Sequence, residues 1–307
     1  MSLAAILKGK GPSGFGYGST AEEVTAGVDL SGKTYLVTGV RSGLGLETAR
    51  VLALRGARIV ALARSAQSAS GALEAASAEG MAVACDLSEP ASVRAAVASV
   101  RAGAVLDGIV CNAGVMAPAE RTVKHGLEIQ FLTNHVGHFM LVTGLLDRLT
   151  AAARVVTVSS GAHRAAPREG IRFDDLDASK SYSKWAAYGQ SKLANILFAR
   201  ALSKRFAATR RTANAIHPGV VRTELDRTSP YLIRTGYALG GFLLVKSVAE
   251  GASTQCYVTA HPAVTDVSGA YFIDCNVARP SRLAQDDALA ERLWTESEAI
   301  AARLAAS

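Results

Sequence analysis

Tyr188 and Lys192 are the residues of this 307-residue chain whose types and spacing point most directly to chemistry. They stand four positions apart in a segment with a helical pattern that starts near Lys184, so their side chains share one helix face. A nearby ammonium group lowers the pKa of a phenol and brings it toward the range of a general acid or base. The same pair also occurs on ordinary solvated helix faces, so its interpretation depends on what lies beside it.

A pair of serines, Ser159 and Ser160, follows the predicted strand Arg154–Val158. In open parallel sheets, ligands bind outside the carboxyl ends of the strands. Adjacent strand residues face opposite ways, so the two hydroxyl groups are expected to point to different sides. The strand therefore brings a hydroxyl to the sheet edge where the tyrosine and the lysine would act.

A second chemical signal lies between the predicted strand Thr34–Thr38 and a helical pattern over Gly43–Arg55. Gly39 permits a sharp turn. Gly43 and Gly45 let the backbone approach a diphosphate at the helix N-terminus, where free N–H groups and the helix dipole favour anions. The spacing differs from Gly-x-Gly-x-x-Gly, and three glycines alone are also typical of a structural turn. The flanking strand and helix favour a dinucleotide-binding loop.

The residues after the second strand indicate which dinucleotide binds. Sites that prefer NAD commonly carry an acidic residue there, which holds the ribose 2′-hydroxyl. This chain has Arg64 instead, and Arg41 lies in the glycine loop. Two guanidinium groups can clamp a 2′-phosphate, so the sequence predicts NADP(H) over NAD(H). The alternative is that Arg64 is a solvated residue at a strand end.

Short apolar runs alternate with helical patterns along most of the chain. This alternation predicts an α/β fold, a doubly wound parallel sheet of the Rossmann type in a single domain over 31–307, preceded by a flexible or surface-draped N-terminal arm over 1–30. A long helix is expected through Asn134–Leu149 and another over Lys184–Phe206. The remaining expected strands are Arg58–Ala63, Met81–Ala84, Leu106–Cys111, Thr212–His217 and Ala270–Ile273, and a further helix is expected over Pro90–Arg101.

Composition excludes several classes of protein. Hydrophobic residues make up 49% and charged residues 19%, which is typical of a globular domain. The net charge of +7 is spread without long runs of like charge, so no nucleic-acid partner is predicted. Four cysteines without Cys-x-x-Cys spacing favour a reducing, cytoplasmic location. His135 and His138 lack an evident third ligand, so no metal site is predicted. The apolar stretch Tyr237–Val245 is about half a membrane span, so no stable membrane insertion is expected.

Several motifs occur together in the order of a known family. They are Thr38-Gly39 with Gly43 and Gly45, Asp86, Asn112-Ala113-Gly114, Asn134, Ser159-Ser160, Tyr188 with Lys192, and His217-Pro218-Gly219 with Thr223. Over about residues 30–275 the chain resembles the short-chain dehydrogenase/reductase family. The stretches Asn134–Phe139 and Tyr188–Asn195 are similar to the retinol-dehydrogenase-like branch of that family.

The resemblance implies four catalytic residues. Tyr188 would be the general acid in reduction and the base in oxidation, and Lys192 would lower its pKa and bond the nicotinamide ribose. Ser160, rather than Ser159, would hydrogen-bond the substrate oxygen, and Asn134 would hold a water that links Lys192 to solvent. The residues expected to bind the cofactor are Gly39, Arg41, Ser42, Gly43, Leu44, Gly45, Arg64, Asp86, Leu87, Asn112, Ala113, Gly114, Tyr188, Lys192, Pro218, Gly219, Val221 and Thr223.

Two segments bear on the substrate, a small-molecule alcohol or carbonyl compound. The family places a substrate lid at about 223–247, and the apolar character of 230–245 favours a lipophilic substrate, a subunit contact or a membrane-surface patch. The insert 163–183, between Ser160 and Tyr188, is interpreted as a solvated loop rather than a substrate-shaping one. The helices around 134–149 and 184–206 are compatible with a homodimer or homotetramer.

The expected function is that of an NADP(H)-dependent oxidoreductase that interconverts an alcohol and a carbonyl compound. Two alternatives remain open. One is a reductase of an activated carbon–carbon double bond, similar to the light-dependent protochlorophyllide reductases. The other is a non-catalytic dinucleotide sensor, in which loss of the tyrosine or its lysine would be expected.

Overall fold

The computed structural model of the chain describes residues 9–221 and 245–306, and its strands form one eight-stranded sheet and one small hairpin. In the eight-stranded sheet the order is β3-β2-β1-β4-β7-β8-β9-β10, and only β10 runs antiparallel to its neighbour. In chain order the strands are β1 Thr34–Thr38, β2 Arg58–Ala63, β3 Gly80–Ala84, β4 Leu106–Cys111, β5 Val123–Lys124, β6 Leu127–Glu128, β7 Leu149–Val158, β8 Thr212–His217, β9 Tyr271–Ile273 and β10 Asn276–Ala278.

The central strands form where the sequence has continuous apolar runs, because helices cover both faces of the sheet. The strands β1, β2, β4 and β8 begin and end at the predicted residues, and β3 and β9 differ from prediction by one residue. The predicted doubly wound α/β fold class is confirmed. The short strand β10 was not predicted, since its three residues show no apolar run. Its hairpin with β9 turns at Asp274 and Cys275, which both have positive φ (51° and 64°).

The described helices lie in two layers, one on each face of the sheet. In chain order they are α1 Ala21–Val24, α2 Gly43–Leu54, α3 Ala66–Ala75, α4 Pro90–Gly103, α5 Ile129–Phe131, α6 Gly137–Gly144, α7 Lys184–Arg205, α8 Val248–Ala260 and α9 Asp287–Ala306. The layer of α2, α3 and α8 packs on one face, and that of α4, α6, α7 and α9 packs on the other.

The prediction of one long helix through Asn134–Leu149 is wrong both in the type of helix and in where it ends. Residues Leu132–Val136 form a π-helical turn between α5 and α6, and the helix stops at Gly144. Strand β7 then begins at Leu149, five residues before the predicted start. Its first residues alternate in burial rather than forming an apolar run, so they gave no strand signal.

The described part of the predicted N-terminal arm is packed against the domain rather than draped freely. Thr20 and Glu23 form a capping box that starts α1. Ala21 and Val24 are fully buried, in a cluster shared with α8. The Asn276 side chain on β10 accepts from the Ser13 N–H at 2.9 Å and donates to the Phe15 carbonyl at 3.1 Å. The arm therefore covers β10 and one side of α8.

Helix α9 covers the face shared by α6 and α7. The Trp294 ring lies 5.0 Å from that of Phe139 and 5.9 Å from that of Phe198, centroid to centroid. The Arg205 guanidinium stacks 3.7 Å from the Trp294 ring and pairs with Glu291 at 2.9 Å. The expected subunit contact through these two helices would require α9 to move, because this face is already buried within the chain.

The topology fixes where a ligand can bind. The chain leaves β3 at one end of the parallel sheet and returns through α4 to β4, on the other side of β1. This reversal opens a crevice outside the carboxyl ends of β1 and β4, which is where open α/β sheets bind ligands. The residues that follow β1, β4 and β7 all lie at this edge.

Candidate active site

The glycine loop after β1 has the backbone shape that a phosphate loop needs. Gly39 and Gly43 have φ of +73° and +61°, values that residues other than glycine rarely adopt. A Cβ at Gly45 would collide with the Gly39 carbonyl oxygen and lie 2.5 Å from Nδ2 of Asn112. Ser42 stands at the N-cap position of α2, which begins at Gly43, so the N–H groups of the helix's first turn lie just beyond the carboxyl end of β1.

Thr38 joins the loops that follow β1 and β4. Its Oγ1 accepts from the backbone N–H groups of Asn112 and Ala113, both at 2.9 Å, and its carbonyl accepts from Nδ2 of Asn112 at 2.9 Å. Next to it, a Cβ at Gly114 would lie 3.0 Å from Oδ1 of Asn134 and 3.5 Å from Nζ of Lys192. The segment 112–114 thus runs between the glycine loop and the lysine.

The two serines after β7 are used differently. The Ser159 hydroxyl is buried and donates to the Lys192 carbonyl at 2.7 Å, so it fixes α7. The Ser160 hydroxyl is half-buried, accepts from the Ala162 N–H at 3.2 Å, and lies close enough to the Tyr188 phenol to lower its pKa. The structure therefore brings Ser160, and not Ser159, to the tyrosine.

The electrostatics of Tyr188 differ from the expectation that Lys192 would lower its pKa. Burial raises the pKa of Tyr188 to about 12, and the hydrogen bond from Ser160 only partly offsets this. Burial also lowers the pKa of Lys192 to about 8. Nζ of Lys192 donates to the Val158 carbonyl at 3.0 Å and lies 5.6 Å from the Tyr188 ring centroid. The expectation is wrong because helix spacing alone says nothing about desolvation, which here dominates both groups.

Asn134 lies in the π-helical turn with its amide fully engaged. Nδ2 donates to the Val115 carbonyl and to Oγ of Ser191, both at 2.9 Å, and Oδ1 accepts from the Val115 N–H at 2.8 Å. The Ser191 hydroxyl donates in turn to the Tyr188 carbonyl at 2.8 Å. Asn134 therefore links the loop after β4 to α7, and its side chain holds these elements together.

The expected adenosine-side residues follow β2 and β3. These strands pair from Ile59 with Gly80 to Ala63 with Ala84, so Arg64 and Asp86 lie at neighbouring strand ends. Arg64 and the loop residue Arg41 are exposed. Oδ1 of Asp86 accepts from the N–H and hydroxyl of Ser88, at 2.9 and 2.8 Å. Leu87 is buried beside Gly137, where a Cβ would collide with the Leu87 carbonyl oxygen.

A buried lysine, Lys246, packs against the segment that follows β8, and the sequence analysis did not single it out. Pro218 is buried, and Gly219 has a φ of +88° with Cδ of Lys246 2.9 Å from where its Cβ would be. Val221 forms a bridge with Lys246, whose Nζ pairs with Asp274 at 2.5 Å and lies 4.7 Å from the Tyr17 ring. Thr223 and the expected lid from 223 to 244 lie outside the described residues.

The insert 163–183 is solvated only in part: Arg164, Arg168 and Asp174 are exposed, as expected, but other residues of the insert pack inside. His163, Ile171 and Asp175 are buried. The His163 ring is hydrogen-bonded through Nδ1 to the Ser160 carbonyl at 2.6 Å, and its Nε2 accepts from the Ser281 N–H at 3.0 Å. The insert therefore braces the turn that carries Ser160, a role for which a lone histidine in the sequence gave no signal.

The described residues hold neither a cluster of metal-ligand side chains nor a helix that could cross a membrane. No three His, Cys, Asp or Glu side chains gather as metal ligands within residues 9–221 and 245–306. His135 and His138 are both buried in the core instead. In the same described part of the chain, every helix is too short or too polar to cross a membrane.

The arrangement fits a nicotinamide dinucleotide on its own geometry. The glycine loop packs against Asn112 and Ala113 as closely as only glycine allows, and Gly114 lies beside Asn134 and Lys192, so side-chain-free backbone leads from the N-terminus of α2 toward Lys192. Arg41 and Arg64 stand exposed at its adenosine end. The phenol and hydroxyl of Tyr188 and Ser160 lie at its other end, where a proton can be passed to a substrate oxygen.

Comparison with known proteins gives relatives along nearly the whole chain. The sequence pattern of the short chain dehydrogenase family matches residues 33–172. Short-chain dehydrogenase TIC 32 A, chloroplastic, of Brassica napus is 41% identical over 310 residues, which cover 96% of this chain and 97% of that protein. Retinol dehydrogenase 12 of Homo sapiens is 40% identical over 278 residues, which cover 88% of this chain and 86% of that protein.

Solved structures agree with these relatives. A crystal structure of an uncharacterized protein from Mycobacterium paratuberculosis superposes with a TM-score of 0.74 and 31% identity, covering 93% of this chain and 98% of the other. The angucycline C-6 ketoreductase LanV, solved with bound NADP, superposes with a TM-score of 0.66 and 25% identity, covering 80% and 95%.

The glycine loop generates a first prediction. Replacing Gly45 with alanine should weaken binding of NADPH at least about tenfold, because the new methyl group meets backbone and the Asn112 amide at the loop. Fluorescence titration with NADPH measures this. The matched control is Gly71→Ala in α3, where a Cβ meets nothing within 4 Å. Equal affinity in Gly45→Ala and Gly71→Ala would contradict the proposed loop.

The buried lysine generates a second prediction. Lys192→Met should raise the free energy of unfolding at pH 7 by about 1–3 kcal/mol, because it removes a buried ammonium. The Val158 carbonyl keeps a partner, Nδ2 of Asn195 at 3.1 Å. Between pH 8 and 10.5 the unfolded chain binds more protons than the folded one, so wild-type stability rises and the difference should shrink.

Urea unfolding at pH 7 and at pH 10 measures that difference. Lys33→Met, at an exposed lysine, controls for the change in residue type. A Lys192→Met variant that is less stable than wild type at pH 7, or a difference that grows with pH, would show that burial does not disfavour this charge.

Proposed function

This chain belongs to the short-chain dehydrogenase family, in its retinol-dehydrogenase-like branch, and on that premise we propose that it is an NADP(H)-dependent oxidoreductase that interconverts an alcohol and a carbonyl compound. The observation that carries the proposal is the placement of the buried Tyr188 beside Ser160, with Nζ of Lys192 5.6 Å from the centroid of the tyrosine ring. These three groups can place a proton donor and a hydrogen-bond donor on one substrate oxygen.

Tyr188 acts as the acid when the carbonyl is reduced. Its pKa of about 12 means that the phenol carries its proton at neutral pH, as a proton donor must. Ser160 holds the substrate oxygen at the same point and stabilises the charge that develops there. In the direction of alcohol oxidation, the same phenol oxygen receives the proton.

Lys192 stabilises the negative charge left on the phenol when its proton departs. The ammonium is fixed by the Val158 carbonyl and is 4% exposed, so little solvent screens its field. Asn134 holds the segment 112–115 against α7 and so keeps the lysine and the cofactor-binding loop in register. Both residues would also hold the nicotinamide end of the cofactor in place.

NADP(H) is proposed over NAD(H) from the charges at the adenosine end. Arg41 and Arg64 are exposed there, whereas an NAD site commonly carries a carboxylate at the end of β2. LanV, which shares the fold, was solved with NADP. When bound, the cofactor supplies the hydride, and this chain supplies the proton, the orientation and the electrostatics.

The substrate class is proposed from the relatives and from the sequence. A relative at 40% identity is a retinol dehydrogenase by name, which supports a lipophilic alcohol or aldehyde. The apolar stretch 230–245 is consistent with such a substrate, and its residues 230–244 lie outside the described part of the chain. A cytoplasmic location and a homo-oligomer stay predictions from the sequence.

Removing the phenol hydroxyl tests the assigned acid. Tyr188→Phe should lower kcat for carbonyl reduction by at least about 1000-fold, since general acid catalysis and its positioning are both lost. The affinity for NADPH should stay within about threefold of wild type. Tyr35→Phe, a buried tyrosine of β1, is the matched control and should keep wild-type turnover. Wild-type turnover in Tyr188→Phe would contradict the assignment.

Removing the exposed arginine tests the cofactor preference. Arg64→Ala should lower the ratio of kcat/KM for NADPH to that for NADH by about tenfold or more, because a charged partner of the 2′-phosphate is lost. Arg210→Ala, at another exposed arginine, should leave the ratio unchanged. An unchanged ratio in Arg64→Ala would remove the argument for NADP(H) from this residue.

A further inference from the structure

His138 is a buried histidine whose two ring nitrogens are both hydrogen-bonded to parts of the candidate site. The residue is 1% exposed. Its Nε2 lies 2.9 Å from Oγ1 of Thr38, at the end of β1, and its Nδ1 lies 2.9 Å from the backbone carbonyl of Asn134. It thus connects the strand that leads into the glycine loop with the π-helical turn that carries Asn134.

The hydrogens of these bonds can be assigned from chemistry. A carbonyl oxygen only accepts, so the proton sits on Nδ1 and is donated to Asn134. Burial lowers the pKa of His138 to about 4, so the ring is neutral at physiological pH and Nε2 is an acceptor. Thr38 must then donate its hydroxyl proton to Nε2, while its oxygen accepts from the N–H groups of Asn112 and Ala113.

These bonds close a ring. The Asn134 side chain is hydrogen-bonded to the N–H and the carbonyl of Val115, and the Thr38 hydroxyl accepts from the N–H groups of Asn112 and Ala113. His138 joins Thr38 to Asn134, so the cofactor-binding segment 112–115 is held at both ends by groups that the same histidine orients. The Asn134 carbonyl that His138 meets lies within the π-helical turn Leu132–Val136.

We propose that His138 is a positioning residue that locks Thr38, the segment 112–115 and Asn134 into one register, and so couples the cofactor-binding loop to the lysine and tyrosine of α7. The structural part of this proposal stands on the hydrogen bonds alone. Its kinetic part rests on the proposed function, because a change in turnover is only visible if the protein catalyses hydride transfer.

His135 shows that this arrangement is not a general property of histidines in this helix. It is equally buried, three residues earlier, and packs among Phe131, Phe139 and Phe198. Its Nε2 is bonded to the Ser297 hydroxyl at 2.8 Å, on α9, and its Nδ1 has no hydrogen-bond partner among the described residues. His135, in the adjoining π-helical turn, therefore offers a matched control of the same residue type and burial.

The test compares amide hydrogen exchange across 112–115 in His138→Phe, His138→Asn and His135→Phe. Each variant is measured at a denaturant concentration that lies the same amount below its own unfolding midpoint. His138→Phe should speed exchange of the Ala113 and Val115 amides about tenfold or more, since both ends of the ring are released. In His138→Asn, the shorter amide can still reach the Asn134 carbonyl but not Thr38. Exchange should then increase at Asn112 and Ala113 and stay slow at Val115. His135→Phe should leave all of them unchanged.

The steady-state kinetics of the same variants are measured as a second test. In His138→Phe, kcat with NADPH should fall by about tenfold while KM for the carbonyl substrate changes less than about threefold, because positioning and not substrate contact is lost. Thr38→Val combined with His138→Phe should lower kcat by no more than the larger of the two single changes.

The outcomes separate the claims. Unchanged exchange at 112–115 in a folded His138→Phe or His138→Asn variant overturns the positioning role, as would additive effects of Thr38→Val and His138→Phe. If His138→Phe does not fold, His138→Asn decides by its pattern of exchange. If wild-type protein turns over no carbonyl or alcohol, the proposed function fails while the exchange result still judges the ring of hydrogen bonds.

Discussion

Burial of a phenol and an ammonium side by side is the constraint around which this molecule is built. Tyr188 and Lys192 are 8% and 4% exposed, and leaving either group without a partner would be costly in such an environment. Ser160 meets the phenol and the Val158 carbonyl meets the ammonium, and both come from the carboxyl end of β7. The fold places the Lys192 ammonium where little water can screen its charge, and such an environment favours proton transfer to a carbonyl oxygen.

The surrounding elements serve this pair by fixing the edge of the sheet. Parallel strands bring the ends of β1, β4 and β7 together, and Thr38 ties the first two through bonds to Asn112 and Ala113. Asn134 and His138 extend those ties to α7. Farther out, α9 buries Phe139 and Phe198, and Tyr17 of the N-terminal segment packs over Lys246 below Gly219. Segments far apart in sequence therefore share the task of holding one crevice.

Much of this could be predicted from sequence, because local pattern and fold are consistent there. Buried strands such as Leu106–Cys111 are continuous apolar runs, and glycines such as Gly39 stand where positive φ is required. Other features depend on tertiary contacts that no local pattern encodes. The π-helical turn at Asn134, the early start of β7 and the packing of His163 and Lys246 belong to this group. Helices α3 and α8 were missed for a related reason: α3 is alanine-rich and α8 is buried on nearly every side, so neither shows a clear one-sided stripe. Helix α9, by contrast, has Leu293, Trp294 and Ile300 at helical spacing, so its sequence does carry a signal. The pKa of Tyr188 moves opposite to expectation because desolvation outweighs the lowering effect of the Ser160 hydroxyl.

The account depends on Tyr188 and Ser160 presenting a carbonyl group to the nicotinamide, and isotope tracing tests this most directly. Wild-type protein would be incubated with NADPH carrying deuterium at C4 and a panel of aliphatic and aromatic aldehydes that includes an α,β-unsaturated one. The account predicts one deuterium on the carbinol carbon of the product alcohol, found by mass spectrometry and NMR. Deuterium at the former double bond of the unsaturated aldehyde, or no transfer to any member of the panel, would contradict it.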